Sequence, residues 1–378
     1  MKIILAGGGT AGHINPAIAI ARYIRKRRPS AEILFVGAAN GMETRLVPEA
    51  GFELRTFPMS GMMRGISWKA ARHNLKTAKL LTGAMKAADR ILDEFQPDII
   101  IGTGGFACFA PLYRGAKRGI PTMIHESNVL PGRTNRLLSR YVDRILLGFE
   151  DGAKYLKHPE KIRVTGNPLR EGMLFTEQAA AKQTLGIEGK LVYSAFGSQG
   201  ARRMNELTAE LFALEEADHA SFRHIHSTGA FGYQWMPEHV ASLGVDLAAS
   251  GRIDMREYVH DAPTVMAAAD LMICRAGSMT MSELCATGTP AIMIPSPNVV
   301  ENHQYRNARA LADRGAAVLI EEKDLTAQKL YDTVRELLQD EARLAEMRQA
   351  ALSQAVFDAE EQIDRCIREL LGETQESR

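Results

Sequence analysis

Short runs of consecutive apolar residues recur along the chain, and longer amphipathic stretches separate them. Runs such as Leu271–Cys274 and Ala291–Ile294 contain no polar position, which is typical of strands buried on both faces of a sheet. About 16 residues join these two runs, too many for a hairpin, so the two strands must be parallel. The pattern therefore predicts βαβ units and an α/β fold.

The alternation of apolar runs and helical stretches extends over the whole chain. At roughly 100–200 residues per domain, 378 residues are enough for two domains. Asn167-Pro168 is typical of a boundary, so we predict one doubly wound, Rossmann-like domain at 1–166 and another at 167–344. A C-terminal helix at about 345–372 is expected to complete the first domain. The predicted strands are Ile3–Ala6, Ile33–Val36, Asp98–Ile101, Thr122–Ile124, Arg144–Leu147, Leu191–Phe196, Phe222–His226, a segment around Val245–Ala248, Leu271–Cys274 and Ala291–Ile294.

Composition argues against several classes of protein. Lys and Arg together number 46 and Asp and Glu 45, so the net charge of +1 gives no field that would attract nucleic acid. The four cysteines lack the spacing of a metal or redox motif, which indicates a reducing, cytosolic environment. The apolar run at the N-terminus is too short for a signal peptide, and no run approaches the roughly 18 residues that span a bilayer.

Three glycine-rich turns follow predicted strands, at Gly7–Gly12, Gly102–Phe106 and Gly197–Gly200. Glycine lets backbone N–H groups approach an anion or a sugar closely. The first turn contains a G-x-G-x-x-G spacing, but the next strand is followed by Gly37–Asn40 instead of an acidic residue, which argues against a nicotinamide cofactor. Two domains with facing glycine-rich turns predict a cleft for a long, phosphate-bearing ligand.

A fourth turn follows the strand Leu271–Cys274. Gly277 and Ser278 bring the chain to the start of a helix, whose free N–H groups face the edge of the sheet where α/β proteins bind phosphates. Glu283 lies one turn inside this helix and can contact a ligand. Thr280–Glu283 also matches a capping box, in which the carboxylate only satisfies backbone N–H groups. The local sequence leaves both interpretations open.

Polar residues also follow the predicted strand Thr122–Ile124. His125 and Glu126 come directly after it, at the edge where parallel sheets place their sites. Either side chain can act as a general acid or base, and either can equally serve as a hydrogen-bonding group within a turn.

The segment 54–88 contains seven Lys or Arg residues and no Asp or Glu. Aliphatic and aromatic residues, among them Trp68, alternate with these cations. A segment of this kind can lie on an anionic membrane surface. It can also be an ordinary helix that packs on the sheet and exposes a solvated basic face.

Together, these motifs resemble those of the bacterial N-acetylglucosaminyltransferases of peptidoglycan synthesis. The resemblance covers nearly the whole chain and preserves the order of the motifs. It implies the two-domain GT-B glycosyltransferase fold, with the nucleotide sugar held mainly by the C-terminal domain and the lipid acceptor by the N-terminal one. The motifs are Gly8-Gly9-Thr10-Ala11-Gly12-His13, Gly102-Thr103-Gly104-Gly105-Phe106, His125-Glu126-Ser127-Asn128, Gly166-Asn167-Pro168-Leu169-Arg170, Gly197-Ser198-Gln199-Gly200-Ala201-Arg202 and the segment from Ala269 to Pro295.

The activity that the resemblance implies is an inverting transfer in cell-wall synthesis. N-acetylglucosamine would move from UDP-N-acetylglucosamine to the C4 hydroxyl of a lipid-linked muramoyl-pentapeptide, lipid I, to give lipid II. We expect no cofactor and no metal, since helix N-termini can stabilise the departing diphosphate and no Asp-x-Asp signature follows a turn. The enzyme would lie peripherally on the cytoplasmic face of the bacterial membrane, bound through the segment 54–88.

The resemblance also implies roles for individual residues. Glu283 would bind the ribose hydroxyls, backbone groups at Val259 the uracil, and Gln304 the hydroxyls of N-acetylglucosamine. The turn from Ser278 through Met279 to Thr280 would contact the diphosphate, and Met281 and Ser282 in the same helix start are further substrate-binding candidates. Ser198 and Arg170 would lie on the diphosphate side, and Thr10, Ala11, Gly12 and Asn128 on the sugar-facing side.

His13 is the first candidate for the general base, because it lies beside the first glycine-rich turn and an imidazole titrates near neutral pH. Glu126 is the second candidate. Two other classes stay open: a UDP-N-acetylglucosamine 2-epimerase of the same fold, which would need no lipid-docking surface, and a non-catalytic protein that binds a nucleotide sugar. The basic segment 54–88 argues against the epimerase.

Overall fold

The computed structural model of the chain describes residues 1–61, 67–169, 173 and 177–373, apart from the side chains of residues 69–71 and 76. The chain divides into two compact units. One consists of Met1–Leu169 together with Asp358–Arg378, and the other is Arg170–Phe357. The predictions that fall on residues 62–66 and on Arg170 lie outside the described residues.

The first unit is a parallel sheet covered by helices on both faces. Its strands are β1 (Lys2–Gly7), β2 (Glu32–Ala38), β3 (Glu53–Phe57), β4 (Ile99–Gly104), β5 (Thr122–Glu126), β6 (Arg144–Leu147) and β7 (Ile162–Val164). Its first helices are α1 (Ala11–Arg27), α2 (Glu43–Glu49), α3 (Trp68–Phe95), α4 (Phe109–Lys117) and α5 (Arg133–Leu138). The sheet order is β3-β2-β1-β4-β5-β6-β7. The direction of winding therefore reverses between β1 and β4, and ligands of doubly wound folds bind at such a point.

Successive residues of β1 pack into different cores, which explains its uninterrupted apolar run. Ile3 and Leu5 are buried with residues of α1, whereas Ile4 and Ala6 are buried with residues of α3. A strand that is covered on both faces has no position for a polar side chain.

The second unit has the same organisation. Its strands are β8 (Lys190–Ala195), β9 (Phe222–Ser227), β10 (Ile253–Arg256), β11 (Leu271–Cys274), β12 (Ala291–Met293) and β13 (Ala317–Leu319), in the parallel order β10-β9-β8-β11-β12-β13. Its helices are α6 (Gln178–Leu185), α7 (Arg202–Ala217), α8 (Ala230–Tyr233), α9 (Met236–Ser242), α10 (Ala262–Ala268), α11 (Ser278–Thr287), α12 (His303–Ala312), α13 (Ala327–Gln339) and α14 (Glu341–Leu352). The winding reverses between β8 and β11, so the turns after these two strands diverge there.

The C-terminal region contains two helices where the sequence analysis placed one returning helix at about 345–372. Helix α14 belongs to the second unit, where Leu344 and Met347 lie in the core. The last helix, α15 (Ala359–Leu371), belongs to the first unit, and its Ile363 and Ile367 are buried with residues of α1.

The strand predicted around Val245–Ala248 is wrong. The Asp246 carboxylate accepts hydrogen bonds from the backbone N–H groups of Ala248 at 2.9 Å and Ala249 at 3.2 Å. A side chain that bonds to the backbone two and three residues further on stabilises a turn and competes with strand pairing. The strand of this region is β10, which begins at Ile253.

Candidate functional site

Two glycine-rich turns of the first unit meet beside His13. The N–H group of Gly8 donates to the carbonyl of Gly104 at 3.3 Å, so the turns that follow β1 and β4 are directly joined. A Cβ atom on Gly104 would lie 2.7 Å from Cδ2 of His13, and Gly104 has φ +106°, a value that side chains rarely tolerate. Glycine is therefore required here for the turn to close against the imidazole.

The imidazole of His13 contacts the first turn through Nδ1. This atom lies 3.2 Å from the carbonyl oxygen of Gly8 and 3.1 Å from Oγ1 of Thr10. Because a carbonyl oxygen can only accept, the contact with Gly8 is a hydrogen bond only when Nδ1 carries the proton. In the neutral ring Nε2 is then the basic nitrogen, which is the arrangement a general base needs.

Other residues of the first turn take positions that suit their side chains. Ala11 is the first residue of α1, and the positive φ of the turn falls on Gly9 at +87°. Alanine is therefore unstrained at its position. Thr103 donates to the carbonyl oxygen of His13 at 2.7 Å and fixes the first turn of α1 against β4.

Glu126 holds the loop that follows β5. Its carboxylate accepts hydrogen bonds from the N–H group and side-chain amide of Asn128, the N–H group of Gly132 and the side-chain amide of Asn135, at 2.8 to 3.1 Å. Glu126 is buried, as is His125, whose Nε2 is 3.0 Å from the carbonyl oxygen of Gly166. Burial lowers the pKa of His125 and thus favours its neutral form. This geometry supports loop positioning for both residues.

The sequence analysis missed Glu43 and Asn135. Glu43 begins α2 and is fully buried, with hydrogen bonds to the backbone N–H groups of Gly9 and Ala38. An acidic residue of a dinucleotide fingerprint is expected directly after the second strand, whereas Glu43 lies several residues beyond the end of β2. The sequence gives no signal for Asn135.

In the second unit, α11 begins at Ser278 and Gly277 is its N-cap, without a side-chain capping hydrogen bond. The capping-box interpretation of Thr280–Glu283 is therefore wrong, because Thr280 is already inside the helix. Ser278, Met281 and Glu283 are buried, while Met279, Thr280 and Ser282 are partly exposed. Glu283 is thus the sixth of the ten residues of a helix that starts just after the carboxyl end of β11. Met281 has no exposed side chain for a ligand, so only its backbone is available.

The turn at Gly197–Gly200 starts α7 and packs tightly against the end of β9. A Cβ atom on Gly200 would lie 2.0 Å from the carbonyl oxygen of Thr228, and Asn205 donates to the same oxygen at 2.8 Å. Ser198 is exposed in this turn. A cavity of about 430 Å³ lies beside the turn. It is lined by Phe196, Gly200, Ala201, Arg202, Arg203, Arg275, Ser296, Asn298, Gln304 and Glu322.

Gln304 and Val259 both lie beyond the carboxyl ends of strands of the second sheet, Gln304 after β12 and Val259 after β10. The side-chain oxygen of Gln304 accepts from the N–H group of Ser296 at 2.8 Å, which turns its amide NH₂ to the other side as a donor. Val259 is buried between β10 and α10, so only its backbone is available to a base.

The described part of the chain contains neither a cluster of metal-binding side chains nor a helix that could cross a membrane. Within residues 1–61, 67–169, 173 and 177–373, no group of three or more His, Cys, Asp or Glu side chains is arranged to hold a metal ion. Over the same described part of the chain, no helix is both long enough and apolar enough to cross a membrane.

The two doubly wound units define the GT-B fold, and comparison with known proteins identifies the family. The model for the glycosyltransferase family 28 N-terminal domain matches residues 3–147, and the model for the C-terminal domain of that family matches residues 192–363. The chain belongs to glycosyltransferase family 28. It is 41% identical to the UDP-N-acetylglucosamine--N-acetylmuramyl-(pentapeptide) pyrophosphoryl-undecaprenol N-acetylglucosamine transferase of Acetivibrio thermocellus, over 98% of each chain.

Solved structures show the same fold. The crystal structure of MurG from Acinetobacter baumannii matches with a TM-score of 0.75 at 24% identity, over 97% of this chain and 99% of that one. The UDP-GlcNAc 2-epimerase of Neisseria meningitidis, solved with UDP-GlcNAc bound, matches with a TM-score of 0.63 at 15% identity, over 98% and 100%. Transferases and epimerases share this fold, so the fold alone does not separate the two activities.

Proposed function

We propose that the chain transfers N-acetylglucosamine from UDP-N-acetylglucosamine to the C4 hydroxyl of a lipid-linked muramoyl-pentapeptide. The observation that carries this proposal is the 41% identity to a transferase of that name over 98% of both chains. The product is the disaccharide lipid of peptidoglycan synthesis. The second unit binds the donor, and the first unit binds the acceptor and supplies the base.

Donor binding in this proposal uses the carboxyl edge of the second sheet. Glu283 accepts hydrogen bonds from the ribose hydroxyls, and the free N–H groups at the start of α11 face the diphosphate. The exposed hydroxyl of Ser198 donates to the same diphosphate, and the amide of Gln304 donates to a sugar hydroxyl. Backbone groups at Val259 form hydrogen bonds with the uracil. These donors and the helix dipole stabilise the negative charge that develops on UDP as it leaves.

The transfer itself is a single displacement at the anomeric carbon. The C4 oxygen of the acceptor forms a bond to this carbon as the bond to the UDP oxygen breaks, and UDP departs with the electron pair. His13 takes the proton of the hydroxyl on Nε2, while Thr10, Ala11, Gly12 and Asn128 line the sugar-facing side. We favour His13 over Glu126 because four hydrogen bonds already engage the Glu126 carboxylate in its loop.

Attachment to the membrane is part of the proposal, at the cytoplasmic face. In helix α3, Thr77, Ala84 and Ala88 are buried, so one face packs on the sheet. Trp68 and Leu75 in the same helix are 87% and 64% exposed. An apolar surface of this kind, flanked by lysine and arginine, suits an anionic membrane that carries the lipid acceptor.

An assay with and without a lipid-linked acceptor tests the activity. We expect UDP to be released from UDP-N-acetylglucosamine only when the acceptor is present, at a rate that a chelator leaves unchanged. Formation of the 2-epimer of the donor sugar in the absence of acceptor would instead support the epimerase. A protein that only binds the nucleotide sugar would produce neither product.

A further inference from the structure

The carboxylate of Glu43 is buried directly beneath the first glycine-rich turn. Its side chain has no exposed surface. Oε2 accepts from the N–H group of Gly9 at 3.0 Å, and Oε1 accepts from the N–H group of Ala38 at 2.8 Å. A carboxylate removed from water is costly unless hydrogen bonds compensate. These two bonds, and the position of Glu43 at the start of α2, provide that compensation.

Three glycines leave space for this carboxylate. A Cβ atom on Gly8 would lie 2.1 Å from Oε1 of Glu43, one on Gly37 would lie 2.6 Å from Cγ, and one on Gly41 would lie 2.0 Å from Oε2. None of these three glycines has a positive φ. The backbone conformation therefore does not require glycine at these positions, and the close approach of the Glu43 side chain does.

The peptide group between Gly8 and Gly9 connects Glu43 to His13. Its N–H group donates to Glu43, and its carbonyl accepts from Nδ1 of His13 at 3.2 Å. A hydrogen bond to a charged acceptor polarises the peptide group, which makes its carbonyl a stronger acceptor. The carboxylate therefore orients the imidazole through one peptide group and favours the tautomer with its proton on Nδ1.

We propose that Glu43 is a positioning residue for the transfer and that it acts on His13 through the Gly8–Gly9 peptide group. This inference rests on the proposed function, since it takes His13 as the base. An apolar side chain could fill the same volume, but it would leave the N–H group of Gly9 without an acceptor and the peptide group free to rotate. In Glu43→Gln, the side-chain NH₂ would face one of the two backbone N–H groups, so two donors would meet without an acceptor. The negative charge of the carboxylate would also be lost.

The test is a double-mutant cycle in the full chain with Glu43→Gln, His13→Ala and the double variant. We expect Glu43→Gln to lower kcat by about 10-fold or more, by analogy with groups that orient a ligating histidine. In the His13→Ala background we expect no further loss, because the group through which Glu43 acts is gone. The dissociation constant of UDP-N-acetylglucosamine should stay unchanged, since the second unit binds the donor.

A matched control is Asp143→Asn, in the same unit. The Asp143 carboxylate also accepts two hydrogen bonds, from the N–H group and hydroxyl of Thr122 at 2.8 and 2.9 Å, at the start of β5 and away from the turns. We expect this variant to keep the kcat of the original chain. A fall in kcat as large as that of Glu43→Gln would assign the effect to general loss of structure and overturn the inference.

The outcomes separate the inference from the proposed function. If Glu43→Gln lowers kcat by the same factor with and without His13, Glu43 does not act through His13 and the inference is wrong. If His13→Ala alone keeps full kcat, the assignment of the base is wrong. A second measurement requires no Glu43 variant: ¹⁵N NMR of the histidine rings, with His13 assigned from the spectrum of His13→Ala. A predominant Nε2–H tautomer of His13 would also overturn the inference.

Discussion

A Cβ atom on Gly105 would lie 2.1 Å from the carbonyl oxygen of Gly8, and Gly105 has φ +80°. The same oxygen accepts the hydrogen bond from Nδ1 of His13. Gly105→Ala must therefore displace the first turn and with it the imidazole. We expect kcat to fall by about 100-fold, the size of effect seen when a catalytic group is displaced by about 1 Å. Steady-state measurement of UDP release checks this.

Gly119→Ala is the control for backbone strain. Gly119 has φ +74°, similar to Gly105, but a Cβ atom there would meet nothing within 4 Å. Gly119→Ala should lose about 1–2 kcal/mol of stability, because alanine is strained at positive φ. Gly105→Ala should lose more, because its Cβ atom also meets the carbonyl oxygen of Gly8. Only Gly105→Ala should lose activity, and equal activities of the two variants would contradict the close approach of the two turns.

The apolar runs were sufficient to predict most of the fold. A central strand of a doubly wound sheet is covered on both faces, so the run Ile3–Ala6 of β1 and the strand β11 contain no polar residue and are visible in the sequence. Edge strands are less visible. β3 pairs on one side only, and its sequence Glu53–Phe57 contains three polar or charged residues. The sequence analysis placed a strand at Val245–Ala248 and not at β10, because the residues of β10 include the charged Asp254 and Arg256.

The local sequence predicts the turns of the candidate site but not the side chains that reach these turns through tertiary contacts. The glycine-rich turns were expected at the carboxyl ends of strands, and the structure has them there. Glu43 was missed because its partner Gly9 lies 34 residues away, and only the pairing of β1 with β2 brings them together. Asn135 reaches Glu126 in the same way, through the fold of the loop after β5.

Glu283 offers a direct test of the donor site. Glu283→Ala should weaken binding of UDP-N-acetylglucosamine by about 1–3 kcal/mol, because the ribose hydroxyls lose a charged acceptor in a buried position. Calorimetric titration measures this. Glu336→Ala serves as the control, since the side chain of Glu336 is 69% exposed in α13 and lies outside the proposed site. Unchanged affinity in Glu283→Ala would remove Glu283 from the ribose.

A buried chain of polar side chains makes the stability of the second unit depend on pH. The Ser194 hydroxyl lies 2.7 Å from Nε2 of His224 and 2.7 Å from Nδ1 of His226, and Glu215 lies 2.8 Å from Nδ1 of His224. All four side chains are buried. Burial, together with repulsion from His224, lowers the pKa of His226 to about 3.

The folded chain therefore keeps His226 neutral, whereas the unfolded chain protonates it below its ordinary pKa of about 6.5. As pH falls from about 6.5 towards 3, the unfolded state gains a proton that the folded state does not, and stability is lost by up to about 1.4 kcal/mol per pH unit. We expect His226→Phe to remove this contribution, so urea unfolding should depend less steeply on acid pH than in the original chain. His260→Gln, at an exposed histidine, is the control. Equal slopes for the original chain and His226→Phe would contradict the buried neutral state.

The last prediction concerns the membrane. Trp68 and Leu75 are the most exposed large apolar side chains of α3, and Lys69, Arg72 and Lys76 lie in the same part of that helix. Replacing Trp68, Lys69, Arg72 and Lys76 together by serine removes three cations, each of which contributes about 1 kcal/mol near an anionic surface. We expect cosedimentation with anionic vesicles to fall sharply and the remaining binding to depend less on salt.

Phe231→Ser is the matched control for this surface, because Phe231 is 66% exposed but belongs to the second unit. It should leave vesicle binding unchanged. The fourfold variant should still release UDP at the original rate with a water-soluble acceptor analogue, since none of the four residues belongs to the turns around His13. If the fourfold variant binds vesicles as well as the original chain, the membrane contact lies on another surface. If it loses activity with the soluble analogue as well, the segment contributes to the acceptor site itself.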